Sequence, residues 1–448
     1  MTIPRVRARS APSVTRGTTT VILQQHLSGT WWPHDRPSPR RPGTLTVSRS
    51  QGGHLRLRSG DVPPVPAWST GVFHGLLEGP AADPATERAA AALVPTEQVT
   101  GRPVTLFGTL PLQGDDSPTP DEGEVAVDAM LVGETVESPD EHRFRRALLE
   151  IPELTPWSSG RVADEEAGSE AAEGDPVSVA VPCRIGQHAE THSLRFTPDP
   201  ARGHVQVAVT DRDPEGLSVE EIRRNAHAVQ DLFSLASLAP PSAMHARIPT
   251  GETDDEAQLF WRQTLSFPSQ IAPRGALIFS AADLAITTAL PRWYELRRKH
   301  RVTVDLLMGM LRAPHRYTEL NLLVVVAAAE ALFATTDNRS KRQRKDSTLR
   351  LKLVAMAERV KLADRIGVKL PVQEWAERTA RVRNSFTHTG GATDYTEEQL
   401  GELVGLTTAV VVANLVQDLG VPPEAWAGGL ARNPALRLQR PADAATLF

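Results

Sequence analysis

The chain has 448 residues, of which 40% are hydrophobic and 23% charged, a composition typical of a globular protein with room for two or three domains. The formal net charge of −5 names no partner, and the single cysteine, Cys183, excludes an intramolecular disulfide and fits a reducing compartment. Near the N-terminus the longest apolar run, residues 21–23, is too short for a signal-peptide core, so we expect a cytoplasmic protein.

The first half of the chain is predicted to be rich in strands. Residues 1–20 are basic and rich in Pro, Ser and Thr, which predicts a disordered arm. From about residue 21 to 215, short segments with many β-branched residues are bounded by Gly, Pro or Asp. These predicted strand segments are 44–50, 54–59, 102–112, 125–133, 177–185, 193–198 and 204–211. Two acidic stretches between them, 114–124 and 164–176, have the composition of solvated loops.

The second half is predicted to be helical. Ser218 and Glu221 form a capping-box pattern before a helix at 219–238, which closes the β half or bridges to the next part. A short mixed segment follows, and from Ser280, with Asp283 as a cap, the apolar period is helical. The most apolar stretches, 320–333 and 406–416, fall short of the roughly 20 residues that span a bilayer, so we expect buried helices and no membrane contact.

Positive charge is concentrated in one part of this helical half. Residues 292–352 contain fourteen Lys or Arg against six Asp or Glu, which predicts a polyanion-binding face. The connector at 337–347 carries the residues predicted to bind RNA phosphates: Lys341, Arg342, Arg344 and Lys345. A solvated connector is an equally good interpretation. Trp293 and Tyr294 are expected to pack in the core rather than to stack on bases.

Metal and hydrolase motifs have little support in the sequence. Cys183, His188 and His192 are conceivable zinc ligands, but no fourth ligand accompanies them, and surface polar residues are the better interpretation. The sequence contains no P-loop, no HExxH and no GxSxG motif. We therefore predict no metal and no cofactor.

The segment "RVRNSFTHTGG", residues 381–391, lies in a predicted helix that Pro371 begins and Gly390 and Gly391 end. One side of this helix predicts a buried seam at steps of three and four: Val372, Trp375, Thr379, Val382 and Phe386. The opposite side carries a polar stripe at the same spacing: Glu377, Arg381, Asn384 and His388. Arg383 lies to one side of the polar stripe.

The polar stripe is either the solvated face of an amphipathic helix or a catalytic site. Asn384 and His388 favour the second, because Lys, Glu and Gln are better helix formers on a solvated face. His388 is also in the last turn, where the helix dipole favours imidazolium and supports proton exchange at cellular pH.

A histidine beside an arginine suits metal-free RNA cleavage. A base removes the 2′-hydroxyl proton, an acid protonates the leaving 5′-oxygen, and a guanidinium stabilises the phosphorane. One histidine per chain is not obviously enough for both proton transfers, so we expect a two-fold dimer with a composite site.

The residues from Arg383 to His388 resemble the signature of HEPN domains, an arginine followed by a polar residue and, within four to six residues, a histidine. Asn384 favours Arg383 as the motif arginine, although Arg381 satisfies the wider spacing. Residues 290–311 and 316–336, with Glu330 in the second segment, resemble the helical half of ApeA-like HEPN proteins. "SGTWW", "HGLLEG" and "GRPVTLFGTLP" resemble the N-terminal region of that family, whereas the acidic segments near 114–126 and 164–175 do not fit its pattern.

This resemblance implies an α+β fold. A β-rich N-terminal region, residues 21–275, would act as sensor or regulator. It would precede an all-α HEPN-like helical bundle, residues 276–430, with a C-terminal tail at 431–448.

The resemblance further implies a metal-independent endoribonuclease, a toxin of anti-phage defence by abortive infection. It would cleave tRNA or another cellular RNA, form a homodimer through its helical domain and respond to a phage-derived trigger. The implied catalytic residues are Arg383, Asn384 and His388, with Arg381 as the alternative arginine, and Glu330 and Glu377 would support them.

Two other functions compete with this one. In the first, a non-catalytic HEPN-type module binds RNA or protein or forms a dimer, and the polar stripe is only an interface. In the second, the β-rich half recognises carbohydrate or protein as its main activity, but nothing in the strands names a ligand.

Overall fold

The structure is a computed structural model. It describes residues 24–34, 40–48, 52–57, 71–80, 101–111, 123–138, 143–151, 157, 177–185, 188–199, 204–211, 216–239, 245–250, 256–261, 277–312, 318–337, 347–366, 370–389, 394–436 and 438. The predicted arm at 1–20, the four basic connector residues Lys341, Arg342, Arg344 and Lys345, and the double glycine at 390–391 lie outside these residues.

Within this part of the chain, thirteen antiparallel strands form one curled sheet. In chain order, strands β1 to β13 are Gln24–Pro33, Arg41–Ser48, Gly52–Leu57, Gly71–Pro80, Pro103–Pro111, Gly123–Val127, Ala129–Val132, Arg146–Glu150, Val177–Ile185, His188–Asp199, His204–Asp211, His245–Pro249 and Glu256–Trp261. Each of the seven predicted strand segments is confirmed over its described residues. The segment at 125–133 contains two strands, which separate at Asp128.

Six strands at one end of the sheet close into a ring. The order β4-β1-β2-β3-β6-β5 is completed by pairing of β5 with β4, so these strands enclose a core of their own. Trp31, Leu55, Phe73 and Leu106 are among its fully buried side chains. Gly75 is required here, because an added Cβ would lie 2.3 Å from the ring of Trp31.

The remaining strands extend from this ring and carry the helices. They follow the order β7-β13-β12-β8-β11-β10-β9. Helix α1, Val219–Ser237, has fifteen of its nineteen residues buried and begins at the predicted capping box of Ser218 and Glu221. After α1 the chain returns to the middle of the sheet as β12 and β13. The expectation that this helix closes the β half or bridges to the next part is therefore wrong.

The C-terminal part is helical, as predicted. Helices α2 to α9 are Ile286–Lys299, Arg301–Arg312, Thr318–Thr336, Leu349–Arg359, Leu362–Ile366, Val372–Thr389, Glu397–Leu419 and Pro423–Arg432. The chain is thus an antiparallel sheet followed by a helical region, which agrees with the α+β class. Helix α2 begins at Ile286, six residues later than predicted, because Asp283 accepts hydrogen bonds from the backbone and hydroxyl of Ser280 and closes a turn.

One hydrophobic cluster joins the sheet to the helices. It includes Leu149 and Val209 on strands, Phe233 on α1, and Trp293 on α2. The indole of Trp293 donates a hydrogen bond of 2.7 Å to the carbonyl of Ala228 on α1. The core placement predicted for Trp293 is confirmed, and α1 holds the helical region against the sheet.

In the part of the chain that the structure describes, two helices, α4 and α8, are long and apolar enough to cross a membrane by length and composition. This is weak evidence, because the core helix of a soluble protein passes the same test. In the structure 78% of the apolar window of α8 is buried, but only 39% of that of α4. Helix α8 is the core helix that the sequence predicts, whereas α4 keeps an apolar surface that the described residues do not cover.

Candidate active site

The buried side of α7 fixes how this helix is turned. Trp375, Thr379 and Val382 are fully buried, and Val372 and Phe386 pack half-buried against the same core. The indole of Trp375 also donates a hydrogen bond of 3.3 Å to the hydroxyl of Thr407 on α8. The predicted seam is confirmed. Its packing turns the opposite side of α7 away from the core.

The polar stripe lies on that opposite side, and all four of its residues are exposed. Arg381 donates a hydrogen bond of 2.9 Å to Glu377 one turn earlier, in a pair that is about two-thirds exposed. Among the described residues, none forms a hydrogen bond with the imidazole of His388. The predicted exposure of the polar stripe is confirmed, and a ligand can reach His388 directly in the single chain.

Arg383 differs from Arg381 in being held by its surroundings. Its side chain is 38% exposed and turns toward α4, where its Nη2 lies 3.7 Å from Oε2 of Glu330. Its Nη1 donates a hydrogen bond of 3.3 Å to the side-chain oxygen of Asn384. Glu330 on α4 and Asn384 are therefore both in contact with Arg383.

A lysine completes this group of charges. Nζ of Lys352 on α5 donates a hydrogen bond of 2.7 Å to Oε1 of Glu330, so the carboxylate lies between two cations from two other helices. We call Lys352, Glu330 and Arg383 the charge triad. Lys352 was not among the site residues predicted from the sequence. The available signal was a lone acid in the apolar run of α4 and a lone lysine among the apolar residues of α5.

The geometry of the helix separates the two arginines relative to the histidine. At about 100° per residue, His388 lies about 140° around the helix from Arg383 but only about 20° from Arg381. Arg383 and His388 of one helix therefore point in different directions, and Arg383 approaches the polar stripe only through the length of its side chain. Arg381 is in line with His388, but its side chain is 65% exposed and is paired with Glu377.

Two backbone carbonyl oxygens near the end of α7 accept a hydrogen bond from a side chain. The hydroxyl of Thr387 donates to the carbonyl oxygens of Arg383 at 3.2 Å and Asn384 at 2.9 Å. The last turn of the helix nevertheless presents the negative end of its dipole beside His388. The site therefore combines an exposed imidazole, a held guanidinium and an amide.

An apolar surface borders the charge triad. On α4 the exposed or half-exposed apolar residues repeat along one side: Leu320, Leu323, Val324, Ala327, Ala331 and Ala334. Glu330 lies at the edge of this stripe, about 40 to 60° around the helix from Ala327 and Ala334. A helix that is apolar all round is normally buried all round. This α4 apolar face is therefore a candidate interface next to Arg383.

Much of the basic region is used inside the molecule. Asp231 on α1 is 2% exposed and contacts two arginines, Arg297 at 3.1 Å and Arg312. Burial lowers the pKa of Arg297, and it lowers the pKa of Arg312 to about 10. Burial, followed by Arg312, Arg223 and Arg297, holds the pKa of His227 well below its usual range. We call Asp231, Arg297, Arg312 and His227 the α1 charge cluster, and its arginines are not available to a polyanion.

The described residues include no group of three or more His, Cys, Asp or Glu placed to hold a metal. His192 is buried, and its Nδ1 is 2.7 Å from the amide nitrogen of Asn225 on α1. Its interpretation as a surface residue is therefore wrong, because α1 covers its strand. The side chains of Cys183 and His188 are outside the described residues. Tyr294 packs against the core and donates to Asn225 at 2.6 Å, as expected for a structural residue.

A cleft of about 740 Å³ opens between α4, α5 and the start of α7. Phe333, Val354 and Met356 form its apolar floor, and Arg350 and Gln373 contact each other at its edge. Gln373 is fifteen residues before His388, about 22 Å along the helix. The cleft is therefore separate from the polar stripe.

Comparison with protein-family models, with curated proteins and with solved structures finds no match for this chain. The resemblance to HEPN domains thus remains a prediction from the motif and its helical context. The residues and their geometry are what support a function.

Proposed function

We propose that this chain is a metal-independent HEPN-type endoribonuclease that cleaves cellular RNA, tRNA among the candidates, in the cytoplasm. Its biological role in this proposal is anti-phage defence by abortive infection. The β-rich region senses a phage-derived trigger or regulates the nuclease. The observation that carries the proposal is that α7 presents, within about two turns, an exposed histidine, His388, and a guanidinium, Arg383, that contacts Glu330 at the edge of the α4 apolar face.

The chemistry follows from these groups. A neutral imidazole takes the proton of the 2′-hydroxyl, and the 2′-oxygen attacks the adjacent phosphorus. The bond to the 5′-oxygen breaks, and a second proton donor supplies the proton that this oxygen needs. The products are a 2′,3′-cyclic phosphate and a 5′-hydroxyl end. Arg383, oriented by Asn384 and Glu330, stabilises the negative charge on the phosphorane because it is in place before the reaction.

A homodimer supplies the second proton donor. His388 is the one histidine of the polar stripe, and a two-fold axis beside α7 brings a second copy of it. The α4 apolar face supports this arrangement, because exposed apolar surface of this kind marks an interface. In this proposal the two α4 faces pack together and the two polar stripes face one cleft.

The test compares purified wild type with His388→Ala and with a matched control, Gln373→Ala, an exposed residue at the other end of the same helix. Each protein is incubated with total cellular RNA in EDTA, and the fragment ends and the dimer mass are measured. We expect cleavage with 2′,3′-cyclic phosphate ends by wild type and by Gln373→Ala, and none by His388→Ala, while all three remain dimers.

The α4 apolar face also favours a second function, a non-catalytic module whose polar stripe only forms an interface. In that case none of the proteins cleaves RNA, even with extract from phage-infected cells as a source of activator, and His388→Ala weakens the dimer. Together these two results would replace the nuclease with the binding module.

A further inference from the structure

The charge triad links three helices in a single line of alternating charges. Lys352 comes from α5, Glu330 from α4 and Arg383 from α7, and their side chains are 21%, 29% and 38% exposed. Glu330 is the one acid within the apolar run from residue 320 to 333. A half-buried carboxylate in such surroundings requires a cation, since burial of an uncompensated charge is costly.

The two cations bind this carboxylate differently. Lys352 makes a hydrogen bond of 2.7 Å to Oε1, whereas Nη2 of Arg383 stays 3.7 Å from Oε2. The first distance is typical of a charge-assisted hydrogen bond, and the second is too long for one. Lys352 therefore satisfies most of the negative charge of Glu330, and the five donors of the guanidinium are not all committed.

We propose that Lys352 is a positioning residue that keeps Arg383 available to a phosphate of the RNA substrate. The inference rests on the proposed function and adds a residue to its machinery. With Lys352 present the triad carries a net charge of +1, so Glu330 orients Arg383 without neutralising it. Without Lys352, Glu330 pairs fully with Arg383, as carboxylates and guanidinium groups do in a bidentate geometry. The neutral pair then binds phosphate poorly.

A simpler role for Lys352 is purely structural: its ion pair with Glu330 only holds α5 against α4. The two roles give opposite results when Glu330 is also changed. If Lys352 balances charge, Glu330→Gln relieves the loss caused by Lys352→Gln, because Arg383 is again the only charge in the triad. If the role of Lys352 is only structural, RNA cleavage and binding by the double variant are impaired as much as in Lys352→Gln or more.

The experiment uses wild type, Lys352→Gln, Glu330→Gln and Lys352→Gln/Glu330→Gln. Lys361→Gln, which removes an exposed lysine just beyond the same helix, is the matched control. Cleavage of a defined RNA gives kcat and KM, and a 2′-O-methyl RNA that cannot be cleaved gives the binding affinity at several salt concentrations.

For Lys352→Gln we expect kcat/KM and RNA affinity to fall about tenfold, part of the hundredfold or more that loss of a preorganised donor costs. The number of counterions released on binding, which the dependence of affinity on salt concentration measures, falls by about one. The double variant returns to within about threefold of wild type, and Lys361→Gln is unchanged. Glu330→Gln keeps its KM and loses no more than about threefold in kcat, because Arg383 stays charged and is still in contact with Asn384. No recovery in the double variant would overturn the proposal.

A second measurement separates this inference from the proposed function. Phenylglyoxal reacts with free guanidinium groups, and mass spectrometry of the peptide around Arg383 reports its rate of modification in each protein. We expect slower modification in Lys352→Gln than in wild type and recovery in the double variant, whether or not RNA is cleaved. Equal rates in all proteins would reject the charge triad, while absence of cleavage and RNA binding by wild type would reject the nuclease.

Discussion

Two groups of charged side chains in this protein use arginine in opposite ways. In the α1 charge cluster, Arg297 and Arg312 enclose the buried carboxylate of Asp231 between α1 and the helical region. In the charge triad and the polar stripe, Arg383 is only half-buried, and a lysine shares its carboxylate. The comparison shows that an arginine cluster in the sequence does not by itself predict a polyanion-binding face. What matters is whether the acids of the fold already compensate its charge.

The largest expected effect comes from removing the carboxylate of the α1 charge cluster. Asp231→Asn removes the carboxylate that contacts both Arg297 and Arg312 and leaves these two largely buried cations without it. We expect the free energy of unfolding to fall by about 3 to 5 kcal/mol. Urea unfolding of the variant beside Glu377→Gln, which removes an exposed carboxylate, measures this. Equal stabilities would mean that the α1 charge cluster is not a structural element.

The next effect concerns the polar stripe and should leave the free energy of unfolding unchanged. His388→Ala is expected to reduce RNA cleavage by about 100-fold or more, because a positioned proton-transfer group contributes that much. The free energy of unfolding should change by less than about 0.5 kcal/mol, since the side chain is exposed. A parallel loss of activity and stability would show that His388 is structural, and the contrast with Asp231 would disappear.

The protonation of His227 makes the stability that the α1 charge cluster contributes depend on pH. Its Nε2 is shielded from solvent without a hydrogen-bond partner among the described residues, and its ring packs edge-on against Trp261. Burial and then Arg312, Arg223 and Arg297 lower its pKa in the folded protein from the ordinary value of 6.5. Below that pH the unfolded chain binds a proton that the folded chain does not. Stability is therefore present above about pH 6.5 and is lost as the pH falls.

The slope from this one group is about 1.4 kcal/mol per pH unit. Urea unfolding of wild type and His227→Gln at about pH 7.5, 6.5 and 5.5 measures it, with the other histidines common to both proteins. We expect the variant to be less stable at the highest pH and the difference to shrink toward the lowest. Parallel curves would show that the pKa of His227 is the same in the folded and the unfolded chain.

The same comparison explains what the sequence predicted. Local patterns were sufficient for the capping box at Ser218, the buried seam of Trp375 and Val382, and the strands with β-branched residues, because each depends on neighbours in the chain. The return of β12 and β13 to the middle of the sheet depends on pairing with β8 and β7 far away, and no local pattern indicates it.

Within the candidate site, the spacing in one helix predicted the exposure of Asn384 and His388. Glu330 was predicted as a supporting residue, but its approach to Arg383 depends on the packing of α4 against α7. Lys352 was not predicted because its role comes from a contact between two helices, with a residue twenty-two positions earlier in the chain. The use of Arg297 and Arg312 inside the molecule was missed for the same reason, since Asp231 lies far from both in sequence.

The smallest expected effect distinguishes the two arginines that the motif left open. Arg381 is in line with His388, but its side chain is 65% exposed and its partner Glu377 is one turn away on the same helix. Such exposed pairs contribute little, so Arg381→Gln should change the free energy of unfolding by less than about 0.5 kcal/mol. Because an exposed guanidinium that is paired only within its own helix is weakly preorganised, we also expect less than about a threefold change in cleavage. Arg383→Gln, measured in the same assay, should lose about 100-fold or more. If Arg381→Gln has the larger effect, the wider spacing is the functional one, and Arg383 and the charge triad serve only to join α4, α5 and α7.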